Sequence, residues 1–259
     1  MNRLQNLFGR KNDILSVYFT AGFPRLDDTV GIIEELDRQG ADMVEIGIPF
    51  SDPMADGPVI QDSGTRALRN GMTLALLMRQ VTEARRRVPA MPFVLMGYLN
   101  TMMQYGIERL YEDCLSAGID ALIVPDLPFA DYMRDFKPLS DRYGIPVVMM
   151  ITPETDDCRI RLIDRHCDGF IYMVSTASTT GTKDVFGPDQ TEYFDRVNRL
   201  GLRHDRLIGF GISNQSTMAD ACRYSSGGII GSLFIKCLAQ HPDDIPAAVS
   251  TLMDTIGRR

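Results

Sequence analysis

The sequence predicts an α/β protein in which a parallel eight-stranded barrel is surrounded by outer helices, and three observations support this. Eight short apolar runs recur along the 259 residues, helix-like stretches separate them, and glycine stands at several helix-to-strand junctions. Near-continuous apolar strands are typical of parallel sheets covered on their outer face, and eight such strands close into a barrel. We therefore expect the (β/α)8 TIM barrel architecture, with residues 1–259 forming one domain.

Each apolar run has the length and composition of a strand. In chain order the predicted strands are residues 14–20, 42–48, 93–98, 120–125, 146–151, 169–174, 207–211 and 227–232. Amphipathic stretches between them predict helices that include residues 29–39, 73–86, 107–116 and 160–164.

Glycine after several of these helices supports the alternation. Gly40, Gly118 and Gly144 each stand just before a predicted strand, where a left-handed helix cap favours glycine. An open doubly wound sheet is the alternative, but residues 20–24 after the first strand lack its phosphate fingerprint. Two small domains are a second alternative, although no linker composition divides the chain.

Composition limits the possible functions. The net charge is −7, with 34 acidic and 27 basic residues, which argues against a protein that binds nucleic acid through clustered cations. The N-terminal residues do not resemble a signal peptide, and no apolar stretch reaches the roughly 20 residues of a membrane span. Five scattered cysteines are typical of reduced thiols. We expect a cytoplasmic protein.

Few reactive groups lie where barrel chemistry would need them. Barrel enzymes keep their active sites at the carboxyl ends of the strands, and no lysine lies in or at the end of a predicted strand, which disfavours a Schiff base. His166 and His204 precede strands, and His241 follows the last one, so a histidine-bound metal is not expected. Cys158, His166 and Cys167 match no usual zinc spacing.

Two long connections follow strand ends, at residues 49–72 and 175–190, and long connections in compact domains are usually functional. Glu45 lies within the strand before the first of them, and Asp56 lies in that connection. A carboxyl facing the barrel interior would have a raised pKa, which suits a general acid or base. The alternatives are a structural carboxylate at Glu45 and a simple turn at Asp56-Gly57.

Glycine-containing sites at three neighbouring strand ends suggest an anion site. They are Thr180-Gly181, Gly209-Phe210-Gly211 and Gly231-Ser232, the last opening a helix. Backbone N–H groups of such loops and of a helix N-terminus hold phosphate without a lysine or arginine. Barrel enzymes often place a phosphate group after strands seven and eight.

At this point a family resemblance is evident. Residues 44–61 read VEIGIPFSDPMADGPVIQ, and this segment resembles the signature of the tryptophan synthase alpha chain family. Shorter matches follow in family order, LMGYLN at 95–100, PDLP at 125–128, YMVS at 172–175, GFGIS at 209–213 and GS at 231–232. The resemblance covers the whole chain and implies a barrel lyase that cleaves indole-3-glycerol phosphate to indole and glyceraldehyde 3-phosphate.

The resemblance also implies roles for individual residues. It makes Glu45 and Asp56 catalytic, places Tyr172 and Thr180 near Glu45, and assigns the phosphate to Gly181, Gly211, Gly231 and Ser232. The indole walls would be Tyr18, Met96, Ile123, Met150 and Phe210, although each of these could be ordinary core. One position departs from the family: Ser178 stands where a glycine is usual, so we expect a stiffer loop.

The family works as an alpha–beta–beta–alpha heterotetramer that passes indole to the beta subunit for tryptophan synthesis. The resemblance therefore implies a beta-subunit partner that holds pyridoxal phosphate, with no cofactor in this chain. Asp52, Pro53 and Asn100 would lie at the partner interface. The rival functions are a free-standing lyase, another phosphate-sugar barrel isomerase and a silent subunit that only activates the beta chain; the retained carboxylates and glycines argue against the last.

Overall fold

The computed structural model describes residues 3–175 and 185–258, and in this part of the chain eight parallel strands form a closed barrel. Each strand pairs with the next, and the eighth pairs with the first. The strands are β1 (Ile14–Thr20), β2 (Met43–Gly47), β3 (Phe93–Met96), β4 (Ala121–Ile123), β5 (Val147–Ile151), β6 (Ile171–Val174), β7 (Arg206–Gly209) and β8 (Gly227–Ile230). The predicted (β/α)8 TIM barrel is confirmed.

Several predicted strands extended too far at their carboxyl ends. β3, β4, β7 and β8 stop earlier than the apolar runs suggested. The residues that follow them leave the ladder to shape the mouth of the barrel, so hydrophobicity continues where strand pairing has ended. Ser232, for example, begins a helix.

Helices cover the barrel, with the first helix at its amino-terminal end and the larger helices around its outer side. They are α1 (Arg3–Phe8), α2 (Asp28–Arg38), α3 (Pro58–Arg69), α4 (Leu74–Arg87), α5 (Leu99–Tyr105), α6 (Ile107–Ala117), α7 (Phe129–Asp131), α8 (Lys137–Tyr143), α9 (Asp157–His166), α10 (Pro188–Arg199), α11 (Gln215–Tyr224), α12 (Ser232–Gln240) and α13 (Ile245–Thr255), with a π-helical turn at Tyr132–Phe136.

The sequence suggested one long connection after β2, but the structure shows a helix within it. α3 occupies half of it and begins at Pro58, where proline's fixed φ favours the first helical turn. The irregular parts are residues 48–57, which link the end of β2 to α3, and residues 70–73, which link α3 to α4. Ser63 of α3 contacts Thr20 at the end of β1 through hydroxyl groups 2.6 Å apart.

Side-chain alternation along the strands creates two apolar layers. Ile14 and Tyr18 of β1 belong to the cluster inside the barrel, whereas Leu15, Val17 and Phe19 pack in the outer layer against the helices. This is the period-two pattern expected of strands. α1 closes the amino-terminal end of the barrel, where Phe8 packs on Phe170 with ring centroids 5.5 Å apart.

Two expectations drawn from composition can be compared with the structure. The five cysteines are free thiols. Across residues 3–175 and 185–258, no helix combines the length and apolar character needed to cross a bilayer.

Candidate active site

Glu45 lies at the middle of β2 and faces the barrel interior, an orientation that the sequence had left open. Its side chain is fully buried, and its Oε1 accepts a hydrogen bond of 2.8 Å from Ser16 Oγ on β1. Its Oε2 is also buried and makes no hydrogen bond to any described residue. Burial raises the pKa of this carboxyl to about 8, and the Ser16 hydrogen bond only partly opposes that rise.

Asp56 lies in the loop after β2 and is tied to the end of β3 by a tyrosine. Tyr98 Oη donates to Asp56 Oδ2 at 2.9 Å and accepts from the Ala55 N–H, also at 2.9 Å. The Tyr98 ring stacks on Phe50 with centroids 5.2 Å apart. Burial raises the pKa of Asp56, and the hydrogen bond from Tyr98 offsets only part of that rise.

Tyr18 and Tyr172 are buried in the same neighbourhood as the two acids. Burial raises the pKa of the Tyr172 hydroxyl well above its usual value, and the charges of Glu45 and Asp56 raise it further. Burial and the charge of Asp56 also raise the pKa of Tyr18, with a smaller contribution from Glu45. Each of the two tyrosines therefore lies within electrostatic range of both acids.

A glycine on the adjacent strand makes room for each tyrosine. A Cβ atom at Gly47 would come within 2.2 Å of Tyr18 Oη, and one at Gly209 within 2.1 Å of Tyr172 Oη. Any side chain at these glycines would displace a tyrosine ring. Both tyrosines thus cross over the neighbouring strand, which positions them in the barrel mouth.

Apolar side chains complete the interior surface. Met96 and Ile123 belong to the same interior cluster as Tyr18 and Tyr172, and Met150 and Phe210 pack against it. The Phe210 ring meets Tyr172 edge-on, with centroids 6.3 Å apart and planes at 69°. The five predicted wall residues therefore share one interior surface.

Three of the four predicted phosphate residues, Gly211, Gly231 and Ser232, lie at the ends of β7 and β8. Phe210 and Gly211 both have left-handed backbones, with φ of 67° and 77°. Ser175 Oγ donates to the Phe210 carbonyl at 2.7 Å and holds this turn in place. Gly231 caps α12, and Ser232 is its first residue. Thr180, Gly181 and Ser178 lie outside the described residues.

The three predicted interface residues lie outside the barrel interior. Asp52 is exposed and Pro53 half-buried in the loop after β2, and Asn100 is exposed on α5. Two methionines close to them in sequence are also strongly exposed, Met54 at 85% and Met103 at 59%. Exposed methionines are common on binding surfaces because their side chains are flexible.

His166 and His204 lie outside the site and make contacts that are structural in character. His166 ends α9, and His204 precedes β7, both toward the amino-terminal end of the barrel, as predicted. His204 Nδ1 lies 3.0 Å from Asp164 Oδ1, and the same carboxylate accepts hydrogen bonds from the backbone N–H groups of Arg203 and His204.

Sequence reasoning did not identify two residues of this site, Ser16 and Tyr98. Ser16 precedes Tyr18 by two positions, so alternation places both on the interior face, but only the strand register brings Ser16 to Glu45. Tyr98 falls two residues after the end of β3, in a segment noted only for its family resemblance. Its partner Asp56 lies 42 positions away in the sequence.

The fold and the site together define a class of protein, a parallel α/β barrel with a buried carboxyl suited to proton transfer near its mouth. Glycine-rich turns and a helix N-terminus lie at the ends of the adjacent strands β7 and β8. These features are typical of barrel enzymes that act on small phosphorylated molecules.

Comparisons with known proteins identify the family. The family model for "Tryptophan synthase alpha chain" matches residues 4–257. A tryptophan synthase alpha chain from Parabacteroides distasonis is 53% identical over 258 residues, which is 99% of each chain. One from Phocaeicola vulgatus is 50% identical, again over 99% of each chain.

Solved structures agree with these relatives. The tryptophan synthase alpha chain from Legionella pneumophila subsp. pneumophila superposes with a TM-score of 0.88 at 29% identity, covering 99% of this chain and 96% of that one. The tryptophan synthase A-subunit from Pyrococcus furiosus gives 0.86 at 31% identity, covering 95% and 98%. The chain belongs to the tryptophan synthase alpha chain family, and this membership supports an enzymatic role.

Proposed function

We propose that this chain is a lyase of tryptophan biosynthesis that cleaves indole-3-glycerol phosphate to indole and glyceraldehyde 3-phosphate. The observation that carries the proposal is the state of Glu45. Its carboxyl is buried on β2, one oxygen is held by Ser16, and the other makes no hydrogen bond within the described residues. A pKa raised to about 8 keeps the proton on this carboxyl at neutral pH.

Protonated Glu45 acts first as a general acid. It donates its proton to C3 of the indole ring, which converts the ring to an indoleninium-like cation that can accept an electron pair. The Glu45 carboxylate then takes the proton from the carbinol hydroxyl next to C3. The bond between C3 and the carbinol carbon breaks, its electrons restore the aromatic indole, and the carbinol becomes the aldehyde of glyceraldehyde 3-phosphate. Glu45 ends protonated, as it began.

Asp56 stabilises the cation formed by the first proton transfer. Its carboxylate accepts a hydrogen bond from the indole N–H. The positive charge on this N–H grows when C3 is protonated, so the hydrogen bond strengthens in the transition state. Tyr98 supports this role, since its hydroxyl donates to Asp56 Oδ2 and leaves Oδ1 for the substrate. Tyr18, Met96, Ile123, Met150, Tyr172 and Phe210 enclose the ring.

The phosphate group is bound at the ends of β7 and β8. The turn at Gly211 and the start of α12 at Gly231 and Ser232 offer backbone N–H groups and a positive helix end. The family resemblance adds Gly181, and Thr180 for contact near Glu45. Binding through backbone N–H groups suits this site, because the sequence places no lysine at a strand end.

A partner completes the proposed reaction sequence. The chain acts as the alpha subunit of an alpha–beta–beta–alpha tryptophan synthase, in a cytoplasmic setting, and passes indole to the beta subunit. Pyridoxal phosphate belongs to that partner, and this chain works without a cofactor. Asp52, Pro53 and Asn100 form part of the interface, and their positions on the exterior of the barrel support this.

An indole-release assay with indole-3-glycerol phosphate tests the proposed reaction. The wild-type chain should release indole, and Glu45→Gln should lose about 100- to 10,000-fold in kcat, the usual contribution of a general acid or base. Substrate binding should persist. Glu35→Gln on α2 makes the same chemical change outside the barrel and should leave turnover near wild type. Full activity of Glu45→Gln would exclude the mechanism.

The same assay with added beta subunit tests the partnership. Docking beside the loop after β2 should order the site, so the rate should rise when the beta subunit is present. Asp52→Lys with Asn100→Lys should reduce this rise without changing the rate of the isolated chain. Equal rates with and without the partner would instead indicate a free-standing lyase, and no indole release under any condition would indicate a silent subunit.

A further inference from the structure

Ser16 stands out inside the barrel because its hydroxyl lies in an apolar layer. In the strand register it pairs with Met43 on one side and Ile229 on the other, both members of the interior cluster. It is fully buried. A hydroxyl in such surroundings is costly unless it makes a hydrogen bond, and an alanine would suit the layer better for packing alone.

The hydroxyl has one function that the geometry explains. Ser16 Oγ donates to Glu45 Oε1 at 2.8 Å. In the register Glu45 pairs with Tyr18, so Ser16 lies one interior position nearer the amino-terminal end of the barrel. The hydrogen bond therefore pulls Oε1 away from the mouth and fixes the plane of the carboxyl.

We propose that Ser16 is a positioning residue for the reaction, which holds Oε1 of Glu45 so that Oε2 is the oxygen presented to the substrate. Ser16 does not touch the substrate and acts only through Glu45. The inference rests on the proposed acid and base role of Glu45. It adds that the two carboxyl oxygens have different tasks, one anchored and one reactive.

The direction of the hydrogen bond has a second consequence. Because the hydroxyl donates to the carboxyl, it favours the carboxylate and lowers the pKa of Glu45, while burial raises it. The other titratable groups that interact here are Tyr18 on β1, Tyr172 on β6 and Asp56 in the loop after β2. Both tyrosines are neutral at physiological pH, because their pKa values are raised. Ser16 is the hydrogen-bond donor that opposes the rise in the pKa of Glu45 caused by desolvation.

Ser16→Ala tests this role, with Ser140→Ala as its matched control. Ser140 is also a buried hydroxyl, but it donates to the Ile145 carbonyl beside α8, away from the site. Two quantities are measured in each variant. One is the kcat and KM for indole release, and the other is the titration of Glu45 followed by infrared difference spectroscopy, with the Glu45→Gln spectrum subtracted.

Ser16→Ala should lower kcat about tenfold and move the Glu45 midpoint about one pH unit higher, the usual strength of a hydrogen bond to a charged group. Its KM should stay within about twofold, because the substrate does not contact Ser16. Ser140→Ala should change none of these. A folded Ser16→Ala variant that keeps either the wild-type midpoint or the wild-type kcat would overturn the positioning role.

The outcomes also separate this inference from the proposed function. If Glu45→Gln releases indole at the wild-type rate, the proposed function fails, and the positioning role fails with it. If Glu45→Gln is inactive while Ser16→Ala behaves like Ser140→Ala in both measurements, only the role of Ser16 is lost.

Discussion

Glu45 illustrates how burial sets the chemistry of a single residue. Among apolar neighbours the charged form of a carboxyl loses its hydration, so the proton is held more tightly. The Ser16 hydroxyl supplies one hydrogen bond in return, which is too little to restore the ordinary pKa. The residue therefore remains a proton donor at a pH where an exposed glutamate would already be ionised.

The raised pKa of Glu45 predicts a pH dependence of stability. Its pKa is 4.5 in an ordinary setting and about 8 in the folded chain. Between these values the folded state retains a proton that the unfolded state releases, so the free energy of unfolding contributed by Glu45 falls as pH rises through this window. Glu45→Gln lacks the ionisable group and should gain stability relative to wild type over the same window.

Urea unfolding of the two proteins at a series of pH values measures this effect. The difference in the free energy of unfolding should be flat below the window, grow through it and become flat again above it. A difference that does not vary with pH would mean that Glu45 has an ordinary pKa in the folded chain.

At the scale of elements, the loop after β2 is held by an element distant in sequence. Tyr98 follows β3, and its hydroxyl contacts both the Asp56 carboxylate and the Ala55 N–H. Its ring stacks on Phe50, which lies in the same loop. One side chain therefore joins the loop to the barrel at three points and determines where Asp56 lies.

Tyr98→Phe should separate the hydrogen bonds from the stacking. The ring can still pack on Phe50, but Asp56 loses a donor and the Ala55 N–H loses its acceptor. We expect the free energy of unfolding to fall by about 2 kcal/mol, since two hydrogen bonds of about 1 kcal/mol each are lost, and kcat/KM for indole release to fall about tenfold as Asp56 loses its fixed position.

Tyr105→Phe provides the control for this variant. Tyr105 on α5 also donates to an aspartate, Asp113 on α6, outside the barrel mouth. Loss of this hydrogen bond should lower the free energy of unfolding by about 1 kcal/mol and leave kcat/KM unchanged. Wild-type kcat/KM in Tyr98→Phe would show that the loop positions Asp56 without this hydroxyl.

At the scale of the whole molecule, charged groups close the amino-terminal end of the barrel. Asp120, just before β4, accepts hydrogen bonds from Arg85 of α4 at 3.0 Å, from Arg3 of α1 at 3.2 Å and from the Phe93 N–H at 2.9 Å. The Arg85 guanidinium also lies 3.6 Å from the centroid of the Phe93 ring. This cluster joins two helices to the barrel far from the candidate active site.

Asp120→Ala should destabilise the protein without changing its chemistry. It leaves the largely buried Arg85 without its carboxylate partner, and breaking such a buried pair costs about 3 kcal/mol or more. We expect that loss in the urea unfolding free energy, with kcat for indole release unchanged at low temperature. Asp141→Ala, which breaks an exposed pair with Lys137, should cost less than about 1 kcal/mol. Equal losses in the two variants would contradict this account.

Much of the fold could be predicted because its signals are local. The period-two alternation of β2 determines that Glu45 shares a face with Met43, and each strand's hydrophobic run is visible without knowledge of its neighbours. The sequence analysis did not predict α3 in the connection after β2. That connection was defined only as the stretch between two apolar runs, and the helix that begins at Pro58 lies within it.

The sequence by itself determined the eightfold alternation of strands and helices and the face that Glu45 shares with Met43. The tertiary structure alone decided which groups meet: Ser16 with Glu45 through the β1–β2 register, and Tyr98 with Asp56 across 42 positions. It also decided the pKa of Glu45, since desolvation depends on every side chain that closes the barrel interior. Alternation and composition act between near neighbours in the chain, whereas register and burial arise only when distant strands pack together.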